Sequence, residues 1–156
     1  MQRHVLNKAA AVVTGETNPM IHTEILFVDR STPDGVVGRA CSIHYNGKVF
    51  LERKKFSRKN WHFRSVPCTE EQAQKALKFC TDHVGDPFNT WGYFLTPVCA
   101  PRRLASDSWF CSEIVAGALM SAGIDVEPSL HPHQLYKSVK NLTTPDCPRD
   151  IGEMKF

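Results

Sequence analysis

Apolar residues recur at helical spacing between Phe110 and Ala122. Phe110, Ile114, Val115, Ala118, Leu119 and Ala122 share one face, and the stretch predicts a buried helix. Asp107 or Ser108 can cap it, because a short side-chain oxygen accepts a bond from an orphan backbone N–H. Gly123 can end it in the left-handed conformation that glycine adopts at little cost. Upstream the pattern changes. Ile21 to Val28 is rich in β-branched and aromatic residues and predicts a strand. Asp29 to Gly35 reads as a turn cluster, Val36 to Tyr45 as a second strand and Lys48 to Arg53 as a third. Asn46-Gly47 between them is a hairpin signal. Three successive strands joined by turns predict an antiparallel meander.

Trp61 to Pro67 predicts one more short strand, stopped by proline. Thr69-Glu70-Glu71-Gln72 fits a capping box. The helix after it, running to about His83, turns Ala73, Ala76, Leu77, Cys80 and Val84 inward. Gly85-Asp86-Pro87-Phe88 breaks it. Residues 5–14 and 133–139 read as short helices, and the aromatic run 89–95 as another near the core. Residues 96–106 and 128–132 read as loops. The chain thus reads as one α+β domain over 1–156, an antiparallel sheet packed against the helix that carries Cys111. Its core is 5–140 and its peripheral tail 141–156.

Composition changes this picture little. The 156 residues are 42% hydrophobic and 22% charged, as in an ordinary globular chain. Nineteen basic and 16 acidic residues leave a net charge of +3. The basic residues are scattered except for Arg53-Lys54-Lys55 and Arg58-Lys59, which read as a solvated turn, so no nucleic-acid partner is expected. No apolar run reaches the roughly 18 residues of a membrane span. The start of the chain lacks the apolar region of a signal peptide, so a cytoplasmic location is expected. The six cysteines then read as free thiols. Cys80 and His83 have helical metal-ligand spacing but no second pair, so no metal site is expected.

The candidate chemistry starts at Cys111. In a helix's first turn it meets unpaired N–H groups and the positive end of the dipole, which favours the nucleophilic thiolate. The alternative is a cysteine acting as a small apolar core residue. A nucleophile needs a base, and seven histidines are available. His22 and Glu24 stand two apart on a predicted strand and share a face, which suits a base and a group that orients it. The alternative is the exposed polar face of an edge strand. Ser42 and His44, on the second strand, are further candidates for a third member. His62 and His83 read as surface or hydrogen-bonded structural residues. His131 and His133 flank Pro132 in a loop. Glu113 can cap N–H groups or meet substrate. There is no G-x-S-x-G, phosphate-binding loop or dinucleotide glycine pattern.

Taken together, several motifs resemble a known group. They are His22-Thr23-Glu24-Ile25-Leu26-Phe27, Trp61 to Pro67 followed by Thr69-Glu70-Glu71-Gln72, and Gly85-Asp86-Pro87-Phe88. Trp109-Phe110-Cys111-Ser112-Glu113 follows, then Ala118 to Ile124 and His131-Pro132-His133-Gln134-Leu135-Tyr136. Their order is similar to that of the circularly permuted NlpC-like branch of the papain-fold cysteine hydrolases. That branch has members in bacteria, phages and large DNA viruses, and lecithin-retinol acyltransferase is a more distant relative. The resemblance implies a sheet carrying the base packed on a helix carrying the nucleophile, with histidine preceding cysteine in the chain. It implies Cys111 as nucleophile, His22 as base and Glu24 as the provisional third residue. The family often places the third residue on the strand after the histidine strand, where this chain has Ser42 and His44. His131 stands where the family usually has a small polar residue.

The expected activity is a thiol hydrolase. It cleaves a peptide or other amide bond through an acyl-enzyme thioester and needs no metal or organic cofactor. Two rivals remain: a lipid acyltransferase using the same residues, in which Trp91, Tyr93, Phe94 and Trp109 line an apolar groove, although core packing is the commoner use of such aromatics, and a catalytically silent interaction protein on the same fold.

Overall fold

A computed structural model describes residues 22–89, 108–126 and 131–139. The helices expected at 5–14 and 89–95, the loops at 96–106 and 128–132 and the tail lie wholly or mostly outside them. The described residues form three antiparallel strands and three helices. The sheet comprises β1 (Ile25–Thr32), β2 (Gly35–Ile43) and β3 (Val49–Ser57), in the order β1-β2-β3.

The strands run further than the residue pattern predicts. The turn expected over Asp29 to Gly35 shrinks to Pro33-Asp34, and β1 continues to Thr32. Asp29 falls at a bulge, where the register shifts between the Val28–Gly38 and Arg30–Val37 pairs. Arg53 Nε donates to Asp29 Oδ2 at 2.9 Å. Arg58 donates to Ser31 Oγ at 2.7 Å and Thr32 O at 3.1 Å, so polar side chains hold this end of the sheet in extended form. Arg53-Lys54-Lys55 is therefore strand, not the expected solvated turn. The Asn46-Gly47 hairpin forms as expected, with Asn46 at φ 58° and Gly47 N–H donating to His44 O at 2.9 Å. Gly38 is required by close approach: a Cβ there would lie 2.1 Å from Phe27 O.

Trp61 to Pro67 is not a strand. Trp61 instead sets its ring edge-on to Phe56, with centroids 4.9 Å apart. Helix α1 (Glu70–Asp82) starts with the expected capping box. Thr69 Oγ1 accepts from Gln72 N–H at 3.2 Å, and Gln72 Oε1 accepts from Thr69 N–H at 3.0 Å. Ala73, Ala76 and Cys80 are buried, but Val84 lies past the helix end and is exposed, contrary to the periodic reading. Helix α2 (Cys111–Ser121) buries all six residues of its predicted apolar face and ends before Gly123 at φ +73°. Helix α3 spans Pro132–Val139, starting at the proline rather than after it.

One apolar cluster joins these layers. Phe27, Cys41, Ile43 and Val49 of the sheet meet Ala76 and Cys80 of α1, Ile114, Val115, Ala118 and Leu119 of α2, and Leu135 of α3. Gly117 lets α1 and α2 close up: a Cβ there would lie 2.7 Å from the Phe79 ring. Among the described residues no helix is long and apolar enough to cross a membrane.

Candidate active site

The start of α2 is fixed from outside the helix. Phe110, not Asp107 or Ser108, occupies the cap position and gives no side-chain cap bond. Ser108 is buried with its hydroxyl unpartnered, and Asp107 lies outside the described residues. Glu113 Oε2 instead accepts from Phe110 N–H at 2.9 Å, the capping role among those open to it, which also included substrate contact and an ordinary solvated acid. Trp109 is held on both sides: its N–H donates to Pro87 O and its carbonyl accepts from Asn89 N–H, both at 3.0 Å. Its indole N–H donates to Asp86 Oδ2 at 2.9 Å, and His83 Nδ1 reaches the same oxygen at 2.7 Å. Burial opposes the Asp86 charge, but the bonds from Trp109 and His83 prevail and hold its carboxyl below the usual range. Asp86 O also accepts from Val49 N–H at 2.9 Å. The Gly85–Phe88 turn thus ties the start of β3 to the residues just ahead of Cys111.

His22 and Glu24 lie just before β1, in extended approach to the sheet rather than within its ladder. Ser42 fixes this approach: it is fully buried and its Oγ donates to Thr23 O at 2.6 Å. His22 Nε2 lies 3.2 Å from Glu24 Oε1. Glu24, whose side chain is only 4% exposed, also meets Lys54 Nζ at 3.3 Å. Burial raises the cost of the Glu24 charge, yet the bond from His22 and the Lys54 charge lower its carboxyl below 4.5. Since an ionised carboxylate only accepts, Nε2–H is the donor.

Cys111 lies close enough to His22 for its sulfur to act on the charge of the ring. Burial disfavours imidazolium, but the Cys111 sulfur, and the bond and charge of Glu24, lift His22 from 6.5 to about 9. Cys111, His22 and Glu24 therefore meet in one place, with the imidazole common to sulfur and carboxylate. Cys111 is half-buried in the first turn of α2, where the helix itself supplies no partner for the backbone N–H groups.

The other predicted candidates take different places. Ser42 binds backbone, as above. His44 stacks on the His22 ring at 5.1 Å and on Phe50 at 4.8 Å. Burial, then the His22 and Lys54 charges, push His44 below 6.5, so its ring is a neutral neighbour to the His22 charge. Trp61 meets His22 edge-on at 6.1 Å. His62 faces Tyr136, and His131 stands at the start of α3, where its carbonyl accepts from Leu135 N–H. Cys41 and Cys80 are a buried thiol pair between β2 and α1; bonding to Cys41, and burial, push Cys80 far up. Cys41, Cys68, Cys80 and Cys111 are free thiols. Trp109 packs in the core, the commoner of its two expected uses, and Trp91, Tyr93 and Phe94 lie outside the described residues.

Comparisons with family models, curated proteins and solved structures find no match to this chain. The site is read from its own geometry.

Lys54 is the neighbour that the sequence pattern hid. The signal was its alternation with Phe50 and Glu52, four and two residues away, once β3 extends past Arg53. Among the described residues no group of three or more His, Cys, Asp or Glu side chains is arranged to hold a metal ion. The arrangement suits acyl transfer: a thiol, an imidazole that can take and return its proton, and a carboxylate that fixes and charges the imidazole.

Proposed function

We propose that the protein is a thiol hydrolase acting on an amide or peptide bond, with Cys111 as nucleophile, His22 as acid and base, and Glu24 as the residue that orients His22. One observation carries the reading: a single imidazole that is bonded to the Glu24 carboxylate and stands beside the Cys111 sulfur. The sulfur stands at the start of a helix beside an imidazole that stays charged up to about pH 9, and the thiolate is the form that attacks.

The thiolate adds to the substrate carbonyl and forms the S–C bond. Negative charge passes to the carbonyl oxygen, for which the Cys111 backbone N–H is the candidate donor. His22 gives its proton to the leaving nitrogen as the C–N bond breaks, leaving a thioester and a neutral imidazole. Water then attacks the thioester and gives a proton to His22. The thiolate leaves, the acid product departs and the ion pair is restored. Glu24 accepts from His22 throughout and presents the other ring nitrogen to sulfur and substrate.

The test is competitive labelling with iodoacetamide near pH 6, mapped by mass spectrometry. Cys111 is labelled ahead of the other thiols in the native protein, and His22→Ala removes that advantage. Even labelling of all thiols would falsify the reading. A panel of peptide, isopeptide and lipid-ester substrates then identifies the bond cleaved; turnover of the lipid ester alone makes the protein an acyl-ester enzyme.

A further inference from the structure

We propose that Lys54 is a positioning residue of this site: its ammonium keeps the buried Glu24 carboxylate ionised against His22, and so acts on Cys111 through two intermediaries. The proposal rests on the thiol reading above and adds a fourth residue to it. Three observations lead to it, none involving the nucleophile.

The first is burial. The Glu24 side chain is 4% exposed, and a carboxylate withdrawn from water needs a compensating charge. His22 supplies one bond, to Oε1. Lys54 Nζ lies 3.3 Å from Oε2 and 3.5 Å from Oε1, so both oxygens face a cation. The second is reach. Lys54 is on β3 and Glu24 leads into β1, with β2 between them. On the face they share, β2 offers only Gly38, Ala40 and Ser42. Gly38, directly opposite Lys54, has no side chain at all. A large residue there would block the lysine from crossing the sheet. The third is restraint. Lys54 Nζ sits 3.7 Å from the centroid of the Phe50 ring, which stacks on His44, which stacks on His22. The lysine is therefore held by a ring as well as a carboxylate, unlike an ordinary surface ion pair. The charged or titratable groups nearest Glu24 are His22 and Lys54, with His44 and Glu52 next along the sheet.

If Lys54 acts through charge, its loss is felt most where Glu24 would otherwise take up a proton. The experiment compares full-length wild type with Lys54→Met, Lys54→Arg and His22→Ala. It reads the iodoacetamide rate at Cys111 against pH, and the Glu24 carboxyl titration by 13C NMR. Lys54→Met is expected to label about tenfold more slowly near pH 5 and within about twofold of wild type near pH 8. Its Glu24 midpoint is expected to rise from below 4.5 to above it, with Lys54→Arg tracking wild type on both measures. An equal deficit at both pH values, or Lys54→Arg as slow as Lys54→Met, overturns the role of Lys54 alone. So does a wild-type Glu24 midpoint above 4.5, which needs no variant to fold. His22→Ala labelled at the wild-type rate overturns the thiol reading itself, and this role with it.

Discussion

The indole N–H of Trp109 donates to the Asp86 carboxylate at 2.9 Å, two residues ahead of Cys111. The same oxygen takes the His83 bond, so one carboxylate joins the end of α1 to the start of α2. Replacing Asp86 by Ala leaves a half-buried His83 and a buried indole N–H without their acceptor. The expected cost is about 2 kcal/mol in urea unfolding, together with slower labelling of Cys111, because removing one partner exposes the full desolvation penalty of the other. Unchanged stability and labelling would show that the backbone bonds of Trp109 position Cys111 by themselves.

The pH dependence of stability follows from groups with opposite signs. His22 has a folded value of about 9 against 6.5 ordinarily. Its contribution is fully present below 6.5 and is lost as pH rises through about 9. Glu24 is lowered from 4.5, so its contribution is present above 4.5 and is lost as pH falls through its lowered value. His44, lowered from 6.5, adds to the acid side, so urea midpoints should peak near 6.5, fall as pH rises through about 9 and fall as it drops below 6.5. In His22→Ala the alkaline fall between 6.5 and about 9 should flatten.

Glu24→Gln keeps an acceptor for His22 but removes the charge. Lys54 is then left beside a neutral amide in a buried place, and the imidazolium loses its counter-ion. The expected results are a His22 midpoint, read by NMR, lowered toward 6.5, and Cys111 labelling slowed by about tenfold or more. An unmoved His22 midpoint would mean that the thiol alone sets the charge on the ring.

Much of this molecule can be read in its residue types, because the signals are local. The capping box at Thr69 and Gln72, the Asn46-Gly47 hairpin and the α2 apolar face each depend on neighbours within a turn or two. His22 and Glu24 were legible as a pair for the same reason. The far ends of β1 and β3 were not. Asp29, Ser31 and Thr32 look like turn residues, but Arg53 and Arg58, distant in sequence, hold them extended. Lys54 was hidden by the same error: once the strand is cut at Arg53, a lysine beyond it looks solvated. The α2 cap falls at Phe110 because the Pro87 turn fixes the Trp109 backbone from outside, while Glu113, within the helix, reaches back to the Phe110 N–H.

The sheet's middle strand makes a simple demand. A methyl group at Gly38 would meet the Phe27 carbonyl oxygen at 2.1 Å, and backbone cannot step aside as a flexible side chain can. Gly38→Ala is expected to lose at least about 2 kcal/mol or to separate β1 from β2, measured by urea unfolding and by amide exchange at Ala40 and Phe27. Wild-type exchange rates in the variant would show that the two strands have more slack than their spacing allows.

Imidazole and sulfur belong to different layers, one hung from the sheet's margin and the other from a helix packed beneath it. Neither layer can assemble the pair by itself, so thiol reactivity doubles as a gauge of tertiary docking. A mild denaturant that lets the layers drift apart should silence the sulfur while circular dichroism still records intact helices and strands.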